Sequence, residues 1–402
     1  MKRFLLVLAF GFSLASCGQP TPASTNAEQE APPSVERANT WLQGVVSEAT
    51  AEHDLIALGT VIMHTDGTYE VAVDGFQTSN SAIPVRDNDP WHIGSNTKML
   101  TALLYARLVE ADLARWQAKL PELFPDMADE MDPAWQAVTI EDLFAHRAGL
   151  GQLDGFWASA RRNDPNPMPE QRLATTKAAL TIPPKGKVGD YDYTNLGYVI
   201  AGAAIEAVLE RAGTPLTWEA AMQIYLFDPL ASDGPPAVFG YGAPQTGPQG
   251  HRSFLGTPMQ PQGRGAGADN PAALGPAGTL HANLHAHASL AMSFLDSEAS
   301  LISLESRTKL TTRYPNADSR YGLGVGIISN AEYGTYFGHS GSNTMWLSTI
   351  RLHPNAGFVL IVNSNQFNDK AQAAHQDVIK AVFDRERARI PDAFSAGPSA
   401  SD

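Results

Sequence analysis

The chain has 402 residues, 43% hydrophobic and 17% charged, a balance that supplies ample material for a globular core. Its formal net charge of −14 would repel phosphates and no basic run offsets it, which excludes a nucleic-acid partner. A single cysteine excludes an intrachain disulfide, a cysteine-based zinc site and dithiol redox chemistry.

In chain order, Lys2 and Arg3 precede an apolar run over residues 4–15. That run is too short to span a bilayer, which needs about 20 residues, and reads as a signal peptide over 1–16. It ends in Leu14-Ala15-Ser16-Cys17, which resembles the lipobox of bacterial lipoproteins. The resemblance implies cleavage before Cys17 and a diacylglyceryl group on its thiol, so membrane contact through a lipid anchor in the bacterial envelope, facing the periplasm. Residues 17–38 are rich in Pro, Ser, Thr, Ala, Gln and Glu, which predicts a disordered tether.

Folded sequence begins near residue 39. Strands are predicted over 57–64 and 68–73, with Thr65-Asp66-Gly67 as the turn between them. The segment after Ser95 places Met99, Leu100, Leu103, Leu104 and Leu108 on one helical face. Helices and loops follow to about residue 300, with Thr139-Ile140-Glu141-Asp142 as a capping-box start and Gly149 as a helix stop. Residues 231–280 are dense in Gly and Pro and read as a long ordered loop or lid. Strand character returns over 321–329, 333–337, 345–352 and 358–363, then a helix over 369–387. The predicted fold is α/β (α+β): an antiparallel sheet flanked by helices, built from 39–112 and 300–388. An all-helical domain over 113–299 is inserted in it, and 389–402 form a disordered tail. A cleft between the two parts is where a small-molecule site is expected.

Three short motifs carry chemistry, and each occurs twice. Ser95 and Lys98 form a Ser-x-x-Lys pair, three apart and so on one helical face, at a helix N-terminus that offers free N–H groups. A neighbouring lysine activates a serine hydroxyl. Ser306 and Lys309 have the same spacing but lie in a polar stretch, whereas Ser95 opens a strongly apolar helix. Tyr-x-Asn occurs at Tyr193-Thr194-Asn195 and at Tyr314-Pro315-Asn316, the second reading as an exposed turn. His-x-Gly occurs at His339-Ser340-Gly341, between two strand candidates, and at His92-Ile93-Gly94.

In that order, these motifs resemble the serine β-lactamase and DD-peptidase superfamily, in the branch holding class C β-lactamases, DD-carboxypeptidases and related family VIII-type esterases. Segment 142–150 (Asp-Leu-Phe-Ala-His-Arg-Ala-Gly-Leu), Phe227-Asp228-Pro229-Leu230 and Gly275-Pro276-Ala277-Gly278 match supporting segments of that family. The resemblance implies that Ser95 attacks a carbonyl and is acylated, and that Lys98 and Tyr193 share the proton work. It implies that Asn195 holds the lysine or the substrate amide, and that an oxyanion lies between the backbone N–H groups of Ser95 and Ser342. Gly341 would keep a strand edge open for substrate. His339 stands where β-lactamases usually have lysine, so any cation there would fade as pH rises through neutrality.

His281, His285 and His287 cluster in sequence, but no third ligand accompanies the first two; packing roles are expected, with no metal and no cofactor. Trp91, Trp157 and Tyr241 are candidates to line the cleft, though core positions are commoner for such residues. His146 is expected to cap its own helix end. The function implied is an exported serine hydrolase acting on a small-molecule or peptide substrate: an ester, a D-amino-acid peptide or a β-lactam. The alternative is a penicillin- or peptidoglycan-binding sensor without turnover.

Overall fold

The computed structural model describes residues 41–230, 236–254 and 256–395. The export signal, Cys17, the tether and residues 396–402 of the tail lie outside the described residues.

Helix α1 (Trp41–Glu52) leads into β1 (Ala57–His64) and β2 (Tyr69–Gly75). Gly67 makes their turn at φ +85°, and Asp66 Oδ1 accepts the Thr68 N–H. The short β3 (Pro90–His92) delivers the chain to α2 (Thr97–Glu110). A helical segment follows: α3 (Leu120–Leu123), α4 (Ile140–Phe144), α5 (Gly155–Arg162), α6 (Met168–Leu180), α7 (Leu196–Arg211) and α8 (Trp218–Met222). Among its described residues the Gly/Pro-rich region holds β4 (Phe239–Tyr241), β5 (His251–Arg252), β6 (Gln260–Pro261) and α9 (Gly275–Gly278), with 3-10 turns at Ala266–Ala268 and Ala272–Leu274. Then come β7 (Leu280–Asn283), α10 (Leu284–Ala291), α11 (Leu304–Thr311), β8 (Gly326–Asn330), β9 (Gly334–Gly341), β10 (Leu347–His353), β11 (Phe358–Ser364), α12 (Asp369–Arg389) and α13 (Pro391–Ser395).

The main sheet has the order β2-β1-β11-β10-β9-β8, with every pair antiparallel. Its faces separate by the period-2 alternation of a strand. Leu58 and Ile62 pack with α1 and α12, while Val61 and Met63 pack with the core around α2 and α10. This is the mixed helix and antiparallel-sheet architecture the sequence predicts.

Four expectations are corrected. α10 (Leu284–Ala291) packs on β1 and β11, beside the main sheet rather than within the helical insertion, and β7 joins β3 and β4 in a separate three-stranded sheet. The tail is helical over Pro391–Ser395, where Phe394 is buried among His353, Tyr333 and Phe383. Residues 321–325 are not strand, because Leu323 N donates to Leu310 and Gly324 N donates to Phe144, which takes the backbone away from the sheet. Thr139 and Asp142 do form the capping box, but the helix stops at Phe144, five residues before Gly149, and His146 takes the left-handed turn at φ +59°.

Candidate active site

β3 ends one residue before a tight turn. Gly94 adopts φ +52°, and residues 94–96 make a single 3-10 turn before α2 begins. Thr97 Oγ1 donates to Gly94 O at 2.7 Å, and Asn96 Nδ2 donates to Ser348 Oγ at 2.8 Å, pinning the turn to β10. Ser95 is thereby held at the mouth of a buried helix whose first N–H groups have no intrahelical acceptor.

Lys98 lies one turn on, with its side chain wholly buried. Its Nζ is 3.0 Å from Ser95 Oγ, 2.7 Å from Asn195 Oδ1 and 2.7 Å from Ala277 O. Among the described residues no carboxylate pairs with it, and burial pushes its pKa well below the usual lysine value. A neutral amine has two N–H donors and one lone pair. The carbonyl of Ala277 can only accept, and so can Asn195 Oδ1, so both N–H bonds are committed there. The lone pair is left facing the one neighbour able to donate, the Ser95 hydroxyl.

Tyr193 faces Ser95 from the loop before α7. Burial pushes its hydroxyl pKa upward, outweighing the opposite effect of its hydrogen-bond contact with Ser95. Burial therefore favours the protonated phenol at Tyr193 and the uncharged amine at Lys98.

Two glycines let the backbone of β9 approach the Ser95 turn. A Cβ on Gly341 would lie 2.1 Å from Ile93 O and 2.6 Å from Ser95 N; one on Gly94 would lie 2.4 Å from Ser342 N. The backbone nitrogens of Ser95 and Ser342 are thus brought close to one another. The expectation for Gly341 is corrected accordingly: what demands glycine is this close contact with the nucleophile turn. The strand is open beyond Gly338 for another reason, since β8 ends opposite that residue.

His339 also departs from expectation. It is buried, its Nδ1 has no hydrogen-bond partner among the described residues, and its ring centre is 6.1 Å from that of Tyr193. Burial, with the nearby Lys98, depresses its pKa to about 3, so it carries no charge near neutrality.

Sequence reasoning missed His146. Rather than capping its own helix, it accepts the Thr194 N–H at Nδ1 (3.2 Å) and stacks 4.2 Å from the Tyr193 ring. Gln152 Nε2 donates to Tyr193 O at 2.6 Å, completing the support of that loop. The only advance signal was the position of His146 in segment 142–150. The Ala277 carbonyl was equally invisible, because a backbone acceptor leaves no mark on the sequence.

The duplicates of the first two motifs fall elsewhere, whereas His92-Ile93-Gly94 forms the approach to the Ser95 turn. Ser306 is buried in α11 and Lys309 pairs with Glu141 at 2.7 Å. Tyr314 donates to Asp142 Oδ1 at 2.9 Å. His281 lies on β7 and His285 on α10, so helical spacing does not bring them together, and His281 Nδ1 bonds Gly242 O. Trp91 is core, Tyr241 donates to Glu219 O, and only Trp157 of the three aromatic candidates lines a cavity.

Known proteins resemble this chain to different extents. Esterase EstB of Burkholderia gladioli is 33% identical over 118 residues, 27% of this chain and 28% of that protein. The matched stretches cover 36% or less of the curated relatives' own length. Among solved structures, SurE superposes with TM-score 0.66 at 22% identity, covering 90% of this chain and 78% of SurE. The D-amino acid amidase of Ochrobactrum anthropi gives 0.64 at 16% identity, covering 86% and 98%. At these identities the structural likeness is one of fold. The family model described as Beta-lactamase matches residues 42–383, and with that the chain belongs to the β-lactamase family of serine hydrolases.

Proposed function

We propose that the protein is an exported serine hydrolase in which Ser95 is acylated by an ester, amide or β-lactam carbonyl and released by water. The observation that carries this is the buried Lys98 amine, 3.0 Å from Ser95 Oγ, whose two other neighbours, Asn195 Oδ1 and Ala277 O, can only accept. Ser95 Oγ forms a bond to the carbonyl carbon as its proton passes to Lys98. The oxyanion that develops meets the N–H groups of Ser95 and Ser342. The proton then travels through Tyr193 to the leaving group, the scissile bond breaks, and water reverses the sequence on the acyl-enzyme. Lys98 is the base in this reading, and Tyr193 the conduit.

Among substrates, an ester without a carboxylate beside the scissile bond fits best, because His339 supplies no cation. The likeness to an esterase over part of the chain points the same way. A mostly apolar cavity of about 290 Å³, lined by Trp135, Leu150, Trp157 and Ile182, shares Gly151 and Gln152 with the supports of the Tyr193 loop. It does not reach Ser95 itself. The test is intact-mass analysis of the protein exposed to a panel of aryl esters, D-Ala-D-Ala peptides and β-lactams. A transient adduct on the Ser95 peptide with continuing product release is expected from the esters. A stable adduct without release from every compound would make the protein a binder instead.

The lipobox motif and the tether composition support anchoring through Cys17 at the envelope. No helix among the described residues is long and apolar enough to cross a membrane. In a bacterial host, Cys17→Ser is expected to abolish labelling by a fatty-acid probe and leave the precursor uncut. A wild type that takes up no label removes the anchor from the proposal.

A further inference from the structure

Asp269 sits in the Gly/Pro-rich stretch between β6 and α9, far in sequence from every motif, yet is buried. One of its oxygens meets both walls of the oxyanion site. Oδ1 accepts from Asn343 Nδ2 at 2.9 Å and lies 2.9 Å from His92 Nε2, a close polar contact outside hydrogen-bond geometry. Both partners are themselves buried.

His92 leads into the nucleophile turn. Its Nδ1 accepts the Gly94 N–H at 3.1 Å, which places the ring's proton on Nε2, toward Asp269. With the Gly94 N–H engaged, the next N–H along the turn is that of Ser95. Asn343 directly follows Ser342, and its Oδ1 accepts the Met345 N–H at 3.2 Å, folding the chain back after β9. The loop bearing Asp269 is held in turn: Arg162 Nη2 from α5 donates to Asp269 O at 2.6 Å, and Asn343 Nδ2 also reaches Ala268 O at 3.4 Å.

We propose that Asp269 is the positioning residue of the oxyanion site, one carboxylate oxygen fixing the spacing between the Ser95 and Ser342 N–H donors through His92 and Asn343. The inference rests on the reading of Ser95 as the acylated nucleophile. A buried carboxylate sharing one oxygen between two segments resists their separation, because parting either one leaves that segment's buried polar group without its partner. Donors that must meet a charge only in the transition state depend on such fixed spacing, and loss of one typically costs about 10²–10³ in kcat.

The experiment uses the purified full chain, an aryl ester, and an arylboronic acid whose tetrahedral adduct on Ser95 places an oxygen between the two donors. Asp269→Ala is expected to lower kcat by about 100-fold, the scale of losing one oxyanion donor, with KM little changed. Boronate affinity should fall by a similar factor. Asp269→Asn, which keeps an acceptor at Oδ1, should recover most of both. Amide exchange should quicken together over residues 92–96 and 341–346 and stay unchanged in α12. If Asp269→Ala does not fold, Asn343→Leu cuts one arm and should quicken exchange over 341–346 alone. Wild-type kcat and wild-type exchange in a folded Asp269→Ala overturn the inference, and so does a loss carried by KM alone. Failure of the broader reading is separate: no Ser95 adduct forms on the wild type, while the exchange measurement still decides whether Asp269 ties the two segments.

Discussion

Ser95→Ala is expected to lose essentially all turnover, on the order of 10⁶ in kcat, the scale seen when a covalent nucleophile is removed. Nothing else in the site can replace it, since Tyr193 is held protonated by burial and the Ser342 hydroxyl already accepts the Thr344 N–H at 2.8 Å. The sharper half of the result concerns Ser306, which has the same Ser-x-x-Lys spacing. Lys309 is committed to Glu141, and Ser306 is enclosed in α11 with its N–H capped by Ser303 Oγ. Labelling by a fluorophosphonate should therefore vanish in Ser95→Ala and persist in Ser306→Ala. Persistence of the label in Ser95→Ala would place the nucleophile elsewhere and undo the proposed chemistry.

Lys98→Met is expected to cost about 10³–10⁴ in acylation rate, the upper range for removing a positioned base. The pH dependence separates a base from a mere packing residue. The folded-state pKa of Lys98 is lowered, so the wild-type acylation rate should rise with pH through that lowered value and reach its plateau below the ordinary lysine range, with the rise absent from Lys98→Met. The same shift has a thermodynamic sign. Between the lowered pKa and the ordinary lysine value of 10.5, the unfolded chain binds a proton that the folded chain does not. The lysine therefore destabilises the fold at neutral pH, and the stability of wild type relative to Lys98→Met should improve as pH rises toward that value. Denaturant unfolding of both proteins across pH measures this, and a constant gap would mean that Lys98 is charged in the fold. His339 adds nothing to either profile. With its pKa near 3, KM for a carboxylate-bearing substrate should stay flat between about pH 6 and 8, where a free histidine titrates. A KM that climbs through that window for the carboxylate, and not for its matched ester, would show that His339 titrates there after all.

What the sequence alone determined is what a turn or a strand pair can encode. Ser95 and Lys98 share a face because residues three apart on a helix always do. Thr139 and Asp142 cap a helix because three residues separate them, and Asp66-Gly67 turns a hairpin because glycine tolerates a positive φ. The main-sheet strands were legible from period-2 apolar runs bounded by turn residues, while 321–325 misled because their apolar pattern is used against Leu310 and Phe144 rather than in a ladder. The tertiary structure decided everything that depends on desolvation or on contacts between distant segments. Asn195 and Ala277 reach Lys98 from 97 and 179 residues away, and the burial that comes with the fold lowers the lysine's pKa. Burial likewise silences the charge of His339, and the approach of Gly341 to Ile93 sets the glycine requirement that a strand-edge argument misplaced. A protonation state is a property of the surrounding dielectric, which no local pattern of residues contains.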